Sequence, residues 1–362
     1  MKPRIPLFLG IFAIMALSNA IVPVLPAYSA DSALQGAVYA AYFLGAFVIT
    51  LPAGILSDRY GRIPLARAGL FVTLASGILM SITTDPFFMI AARLLEGLGA
   101  GIFVSAAMSY TNAEPEHRRE SGILMAMLNT GLVTGLFLAG WLDTIFADPS
   151  PGLRIFTIIS AFSAGLSLLA TESPERTLSK ESEALFPLVW DNCGIWYSSV
   201  ILIGITGIAS SIYPAYSMLS PAAVGIWIAV MSISTIVAVL LISGASWSPL
   251  PAIRWSAVLM AGGIVLTLFS PLGFVVLGSV AGIVIVAQMA ALSGMRNQGA
   301  IMGLFSTSGY LGMTILPFIA GLIARGAGFP WAFLTAAVLA LTVILFIREP
   351  VCLPEARQSR RF

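Results

Sequence analysis

The sequence predicts an all-α polytopic membrane protein, with twelve transmembrane helices in two pseudo-symmetric six-helix bundles. Three observations predict it: an oil-like composition, a single long polar break near the middle, and elements that recur half a chain apart. Of 362 residues, 58% are hydrophobic and 9% are charged, and the mean hydropathy is +0.97. A soluble domain carries about 25% charged residues, so a largely wetted surface is excluded. The apolar residues lie in long blocks with hardly an ionisable residue inside them. A span needs about 20 such residues at a rise of about 1.5 Å each. Lipid cannot satisfy loose backbone groups, so these blocks must be helices. Twelve of them use roughly 240 residues and leave only short loops.

In chain order the spans fall near 5–25, 34–56, 65–83, 86–110, 120–142 and 153–171. Six more fall near 190–213, 220–243, 252–270, 272–292, 298–323 and 329–347, with Ser270-Pro271 dividing the ninth from the tenth. The first block follows Lys2 and Arg4 and runs to about Val24. That is too long for the core of a secretory signal, so it is read as an uncleaved first helix. Between the two sets lies Thr171 to Phe186, the one long internal stretch of mixed charge. The expected organisation is therefore a first bundle over 1–171, a cytoplasmic linker over 172–187, a second bundle over 188–348 and a cytoplasmic tail over 349–362.

Charge sets the expected orientation. With the N-terminus inside, fifteen of the eighteen Lys and Arg residues fall on the cytoplasmic side, among them Arg59, Arg62, Arg67, Arg118, Arg254 and Arg296. Only Arg154 and Arg325 fall outside, and Arg93 lies within a span. The positive-inside rule then puts both termini in the cytoplasm and the protein in the cell membrane. Repetition supports two halves. Pro26-Ala27-Tyr28-Ser29 closes span 1 and Pro214-Ala215-Tyr216-Ser217 closes span 7, an offset of 188 residues. Arg119-x-x-Gly122 with Gly135 at span 5 recurs as Arg296-x-x-Gly299 with Gly312 at span 11, an offset of 177. Parallel halves related by an axis along the membrane normal are a known transporter plan.

Between spans 2 and 3 stands Gly54-Ile55-Leu56-Ser57-Asp58-Arg59-Tyr60-Gly61-Arg62. Gly54 and Gly61 allow close approach and a tight turn, and Asp58 can face a helix N-terminus or a guanidinium. This run resembles the loop signature G-x-L-[AS]-D-R-x-G-R of the major facilitator superfamily, and the twelve-span plan fits that family along nearly the whole chain. The resemblance implies that Asp58 meets the start of span 11 across the two halves and steadies the outward-facing state. Arg62 would then seek an acid near the end of span 4, where Glu114 and Glu116 stand. The equivalent 8–9 loop, Gly244 to Trp255, keeps a glycine but lacks the Asp and both arginines.

Span 5 carries Gly122, Gly131, Gly135 and Gly140. Their spacing resembles the glycine motif of antiporters in that family, notably drug exporters, but Leu136 replaces its Pro and Ala139 one Gly. Close packing of span 5 against a neighbour is the purely structural alternative. Span 4 carries Arg93 and Glu96, followed by Gly97 and Gly101, and Arg93-x-x-x-Gly97 resembles the family's span-4 motif. Glu96 lies about 15 Å inside a span that starts at Pro86, the one acid placed deep in any span. A charge there costs at least about 2.5–3.5 kcal/mol, so it must face a cavity or a partner. Arg93, three residues away, shares its face. Glu96 is therefore either a proton-binding carboxylate or half of a permanent structural ion pair.

Span 1 offers Ser18 and Asn19 where many proton-coupled relatives carry an acid. Tyr39, Tyr42, Asn129 and Gln288 complete the polar cavity candidates, each more readily read as a satisfied helix-contact residue than as a ligand. A cavity rich in Phe, Met, Trp and Tyr suits a hydrophobic or amphipathic small molecule. His117 is the sole histidine and reads as a solvated loop residue. With no metal spacing, no P-loop, and Cys193 and Cys352 far apart, the sequence offers no enzyme site, cofactor or disulfide. The expectation is a monomeric secondary transporter working by alternating access, exporting its substrate in exchange for protons. Its expected partners are substrate, protons and the lipid bilayer, with no nucleic acid. Metabolite uptake, and a membrane scaffold or lipid-acting enzyme, are the alternatives.

Overall fold

The protein is seen here in a computed structural model that describes residues 4–113, 117–169, 193–242, 248–292 and 298–347. Among the described residues there is no strand. The first six long helices are α1 (Arg4–Ala20), α2 (Ser32–Tyr60), α3 (Arg62–Ile82), α4 (Pro86–Ala113), α5 (His117–Phe146) and α6 (Ser150–Leu168). The second six are α7 (Cys193–Tyr216), α8 (Pro221–Ile242), α9 (Pro249–Leu266), α10 (Gly273–Leu292), α11 (Gln298–Ala327) and α12 (Phe329–Phe346). Among the described residues, twelve helices are long and apolar enough to cross a membrane, the first counted as Arg4–Tyr28. Beyond α1 that span breaks into a 3-10 turn, Val22–Val24, and a short helix, Leu25–Tyr28. Pro23 and Pro26 lack the N–H that would continue the regular ladder.

The helix starts follow from local chemistry. The Asp31 carboxylate accepts from the Ala33 N–H at 2.9 Å and caps α2, and Asp85 caps α4 through Phe87 and Phe88 at 2.9 and 3.1 Å. Each supplies an acceptor to otherwise unpaired first-turn donors. Two expected loops shrink. The stretch read as the 2–3 loop is helical through Tyr60, and the reversal is confined to Gly61, whose φ of 98° only glycine adopts without strain. His117, read as a loop residue, is the first residue of α5. Ser270-Pro271 does divide α9 from α10. The expected linker and tail, Glu114, Glu116 and Arg296, and the side chains of Asp58, Arg59 and Arg118, lie outside the described residues.

The two sets of six repeat one another in three dimensions. In the first, α1 packs on α5 and α6, and α4 on α2 and α3; in the second, α7 packs on α11 and α12, and α10 on α8 and α9. Small residues permit the closest crossings. Gly135 lies against the Ala16 carbonyl, and Gly312, at the repeat offset, lies against the Val200 carbonyl. Gly131 rests on the Phe12 carbonyl, whereas its counterpart Ser308 bonds the Ser199 hydroxyl at 2.9 Å. A second correspondence was not visible beforehand: Arg67 of α3 donates to the Ser167 carbonyl at 2.9 Å, and Arg254 of α9 donates to the Ile347 carbonyl at 2.7 Å. In each half a guanidinium ties the third helix to the end of the sixth, supplying a donor to carbonyls that the helix end leaves over.

The α2–α4 crossing is tightest around Gly97, where a Cβ would fall on the Tyr42 carbonyl, and Gly45 meets the Leu94 carbonyl in the same way. Backbone on both sides cannot move aside as a side chain can. Gly97→Leu is therefore expected to cost at least about 1–3 kcal/mol, read as a lower unfolding midpoint of detergent-solubilised protein. A midpoint equal to the parent's would show that this contact does not hold the bundle.

Candidate functional site

Arg93 and Glu96 lie on one face of α4, and both are buried, at 1% and 0% exposure. The three-residue spacing brings them together: Arg93 Nη1 donates to Glu96 Oε2 in an ion pair. The same nitrogen donates to the Ser18 carbonyl of α1 at 3.0 Å, and Nε reaches the Val38 carbonyl of α2 at 3.4 Å. The guanidinium carbon also lies 4.6 Å from the centre of the Tyr42 ring, a distance at which the ring quadrupole attracts a cation. Arg93 thus has four supports from three helices. Glu96 has one, because its Oε1 has no hydrogen-bond partner among the described residues. A buried acceptor without a donor costs about 1–3 kcal/mol, and a proton on that oxygen turns it into a donor.

The remaining candidates divide. Tyr42 joins the pair through its ring, and Tyr39, one turn earlier and buried, points its hydroxyl at Met313 Sδ of α11, 3.8 Å away. The Asn19 amide is turned back on its own helix, donating to the Met15 carbonyl at 2.9 Å and the Ser18 hydroxyl at 3.1 Å. With Phe8, Phe12 and Met15 it forms a half-buried stripe at helical spacing on α1. Asn129 bonds its own helix at the Met125 carbonyl, 2.8 Å away. Gln288 is fully buried inside the second bundle, donating to the Ser198 hydroxyl at 2.8 Å. Neither is brought to the Arg93–Glu96 pair.

The loop and span-5 glycines divide too. Gly61 makes its turn, but Gly54 and Gly122 have open space where a Cβ would stand, so neither is a site of close approach. Gly131 and Gly135 seat α5 on α1, while Gly140 lies on the Pro221 carbonyl of α8, across the two halves.

Contacts between the halves concentrate at the end that carries Asp31. There Gly36 of α2 sits against the Pro317 carbonyl, and the Ser32 hydroxyl donates to the Gly321 carbonyl at 3.1 Å. Gly225 of α8 sits on the Leu136 carbonyl, and the Ala222 N–H donates to the Thr144 hydroxyl at 3.1 Å. Arg325 pairs with Asp31 at 3.3 Å, with 65% and 27% of their side chains exposed. Nearby, the Ser150 hydroxyl and N–H hold the Asp148 carboxyl below its ordinary range. Exposed ion pairs contribute less than about 1 kcal/mol, whereas backbone crossings have no room to adjust. Arg325→Ala is accordingly expected to leave thiol labelling of an Asn19→Cys reporter from the Asp31 side unchanged. Gly36→Leu is expected to raise that labelling severalfold, and the opposite ranking would make the ion pair the true latch.

Several functional neighbours escaped the sequence reading. The Ser18 and Val38 acceptors are backbone atoms, and no residue type advertises them. Phe43 had a faint signal, the aromatic run Tyr39-x-x-Tyr42-Phe43 on one helix face, and Tyr310 of α11 had none.

Comparison with known proteins adds the lineage. The Arabidopsis thaliana protein "Monosaccharide-sensing protein 1" is 31% identical over 157 residues, which are 41% of this chain and 21% of the relative. The Streptococcus pneumoniae "Multi-drug resistance efflux pump PmrA" is 34% identical over 115 residues, 30% of this chain and 27% of the relative. The aligned parts thus span about a quarter of those relatives' lengths. The crystal structure of the nucleoside transporter NupG superposes with a TM-score of 0.79, covering 96% of this chain and 100% of that one at 14% identity, which is a likeness of fold. The family model described as Major Facilitator Superfamily matches residues 7–219, more than half of the 362. Together with twelve membrane-length helices in two matching sets, that match shows that the chain belongs to the Major Facilitator Superfamily.

Proposed function

We propose that this protein is a secondary active transporter that exports a small hydrophobic or amphipathic compound in exchange for protons, by alternating access. One observation carries the reading. An acid sits at the middle of α4, fully buried, with, among the described residues, one ion-pair partner on one oxygen and none on the other. Such an oxygen can take and release a proton as the two bundles rock and its surroundings change. The half-buried stripe of Phe8, Phe12, Met15 and Asn19 favours an apolar or amphipathic cargo over a sugar or polyanion. The similarity to a multi-drug resistance efflux pump points the same way.

The distribution of Lys and Arg supports a cell-membrane protein with both termini in the cytoplasm; in that orientation the Asp31 end, where the halves meet, faces outward. Asp58 and Arg62 would then gate the inner end, and the chain would act as a monomer. Uptake of a metabolite is a second reading, favoured by the similarity to a monosaccharide-sensing protein. Purified protein in liposomes, assayed against a compound panel with internal pH recorded, tests both. Compound movement against proton flow supports export, movement with protons supports uptake, and no translocation of any compound removes both.

A further inference from the structure

The ion pair lies inside the first bundle, and a transporter needs its protonation to be felt by the second. A continuous run of side chains crosses that gap. Arg93, which holds Glu96, stacks on Tyr42 at 4.6 Å. The Tyr42 ring meets Phe43 edge-on, with centroids 5.0 Å apart and an interplanar angle of 88°. Phe43 in turn contacts Tyr310 of α11, with ring centroids 6.3 Å apart, and Tyr39 packs on the other side of Phe43 at 5.2 Å. Tyr310 belongs to the helix that crosses α2 between the halves.

We propose that Tyr42 and Phe43 are positioning residues that convey the charge state of Glu96 to Tyr310, and so to the contact between the two bundles. The inference rests on the reading of Glu96 as the proton site. While Glu96 is ionised, Arg93 is shared between its carboxylate, the Ser18 and Val38 carbonyls and the Tyr42 ring. Once Glu96 is protonated, the cation loses its counter-charge, and the carbonyls and the ring face carry it. The ring is the one of these supports that can shift without unwinding a helix. Its displacement pushes on Phe43, whose other neighbour is in the opposite half.

The groups that face the pair make this route specific. The titratable ones are Tyr39 and Tyr42 of α2, with Tyr310 of α11 next to Tyr42. From α1 comes Ser18, and the polar side chains that α3 turns toward α4, Thr73 at Gly99 and Ser76 on the Ala92 carbonyl, are neutral as well. The charged groups at the inter-bundle contact are Asp31 and Arg325, which pair, with Asp143, Asp148 and Arg154 at the same end.

The test needs no known substrate. Spin labels at Thr84→Cys and Met218→Cys, both exposed and in opposite halves, report the separation of the bundles at the Asp31 end. The protein is the full chain in lipid nanodiscs, with Cys193 and Cys352 replaced by Ser. A step from about pH 8 to about pH 5, across the carboxyl range, should shift that separation in the parent and in Tyr42→Phe, which keeps the ring. Tyr42→Leu and Phe43→Leu should cut the shift to less than about a fifth, a coupling loss within the usual allosteric range. Glu96→Gln should abolish it. A full shift in folded Tyr42→Leu and Phe43→Leu with none in Glu96→Gln would overturn the aromatic route while leaving Glu96 as the proton site. A full shift in Glu96→Gln would overturn both. Should Tyr42→Leu fail to fold, Phe43→Leu decides alone.

Discussion

Replacing Glu96 by Gln is expected to abolish pH-driven transport while leaving the protein folded. Gln fills nearly the same volume, and its amide oxygen can still accept from Arg93 Nη1, the donor that Glu96 Oε2 now uses. The amide nitrogen takes the place of Oε1, which has no partner among the described residues, so no existing bond is lost there. What disappears is the ability to bind and release a proton. The loss of driven transport should exceed about tenfold, comparable to removing about 1.4 kcal/mol or more of coupling, whereas exchange of compound between two pools at equal pH should change far less. The measurement is compound flux in liposomes with and without an imposed pH gradient. Gradient-driven flux equal to the parent's would mean that the pair is structural and that coupling resides elsewhere.

The fold was largely legible because the bilayer narrows the choices so severely. A run such as the one from Pro221 to Ile242 holds no ionisable residue, and in lipid it has no alternative to helix. Boundaries were less legible where charge stops marking the end of a helix. Asp58, Arg59 and Tyr60 read as loop by polarity, yet α2 continues through them to Gly61, because a helix that emerges from lipid need not end at the interface. The depth of Glu96 and its spacing from Arg93 were enough to find the pair. Its surroundings were not, since two of Arg93's acceptors are backbone carbonyls on other helices. Glycine spacing was informative only where a second helix proved to be present. Gly131, Gly135 and Gly140 meet backbone, while Gly122, in the same pattern, meets nothing. Spacing along one helix places residues on a face but does not say how far the neighbour extends along it.

Removing the other half of the pair should be worse for stability. Arg93→Ala is expected to destabilise the protein by about 3–5 kcal/mol, the range for breaking a buried ion pair from one side, and by clearly more than Glu96→Gln does. The asymmetry comes from the partners. Without Glu96, Arg93 keeps the Ser18 and Val38 carbonyls and the Tyr42 ring. Without Arg93, the Glu96 carboxylate has no donor at either oxygen, and the removal of one of the largest fully buried side chains leaves a cavity among α1, α2 and α4. Two carbonyls also lose a bond, at about 1 kcal/mol each. Thermal unfolding of the two variants in one detergent checks the order. A Glu96→Gln variant less stable than Arg93→Ala would mean that the carboxylate, and not the guanidinium, is the member of the pair that joins the three helices.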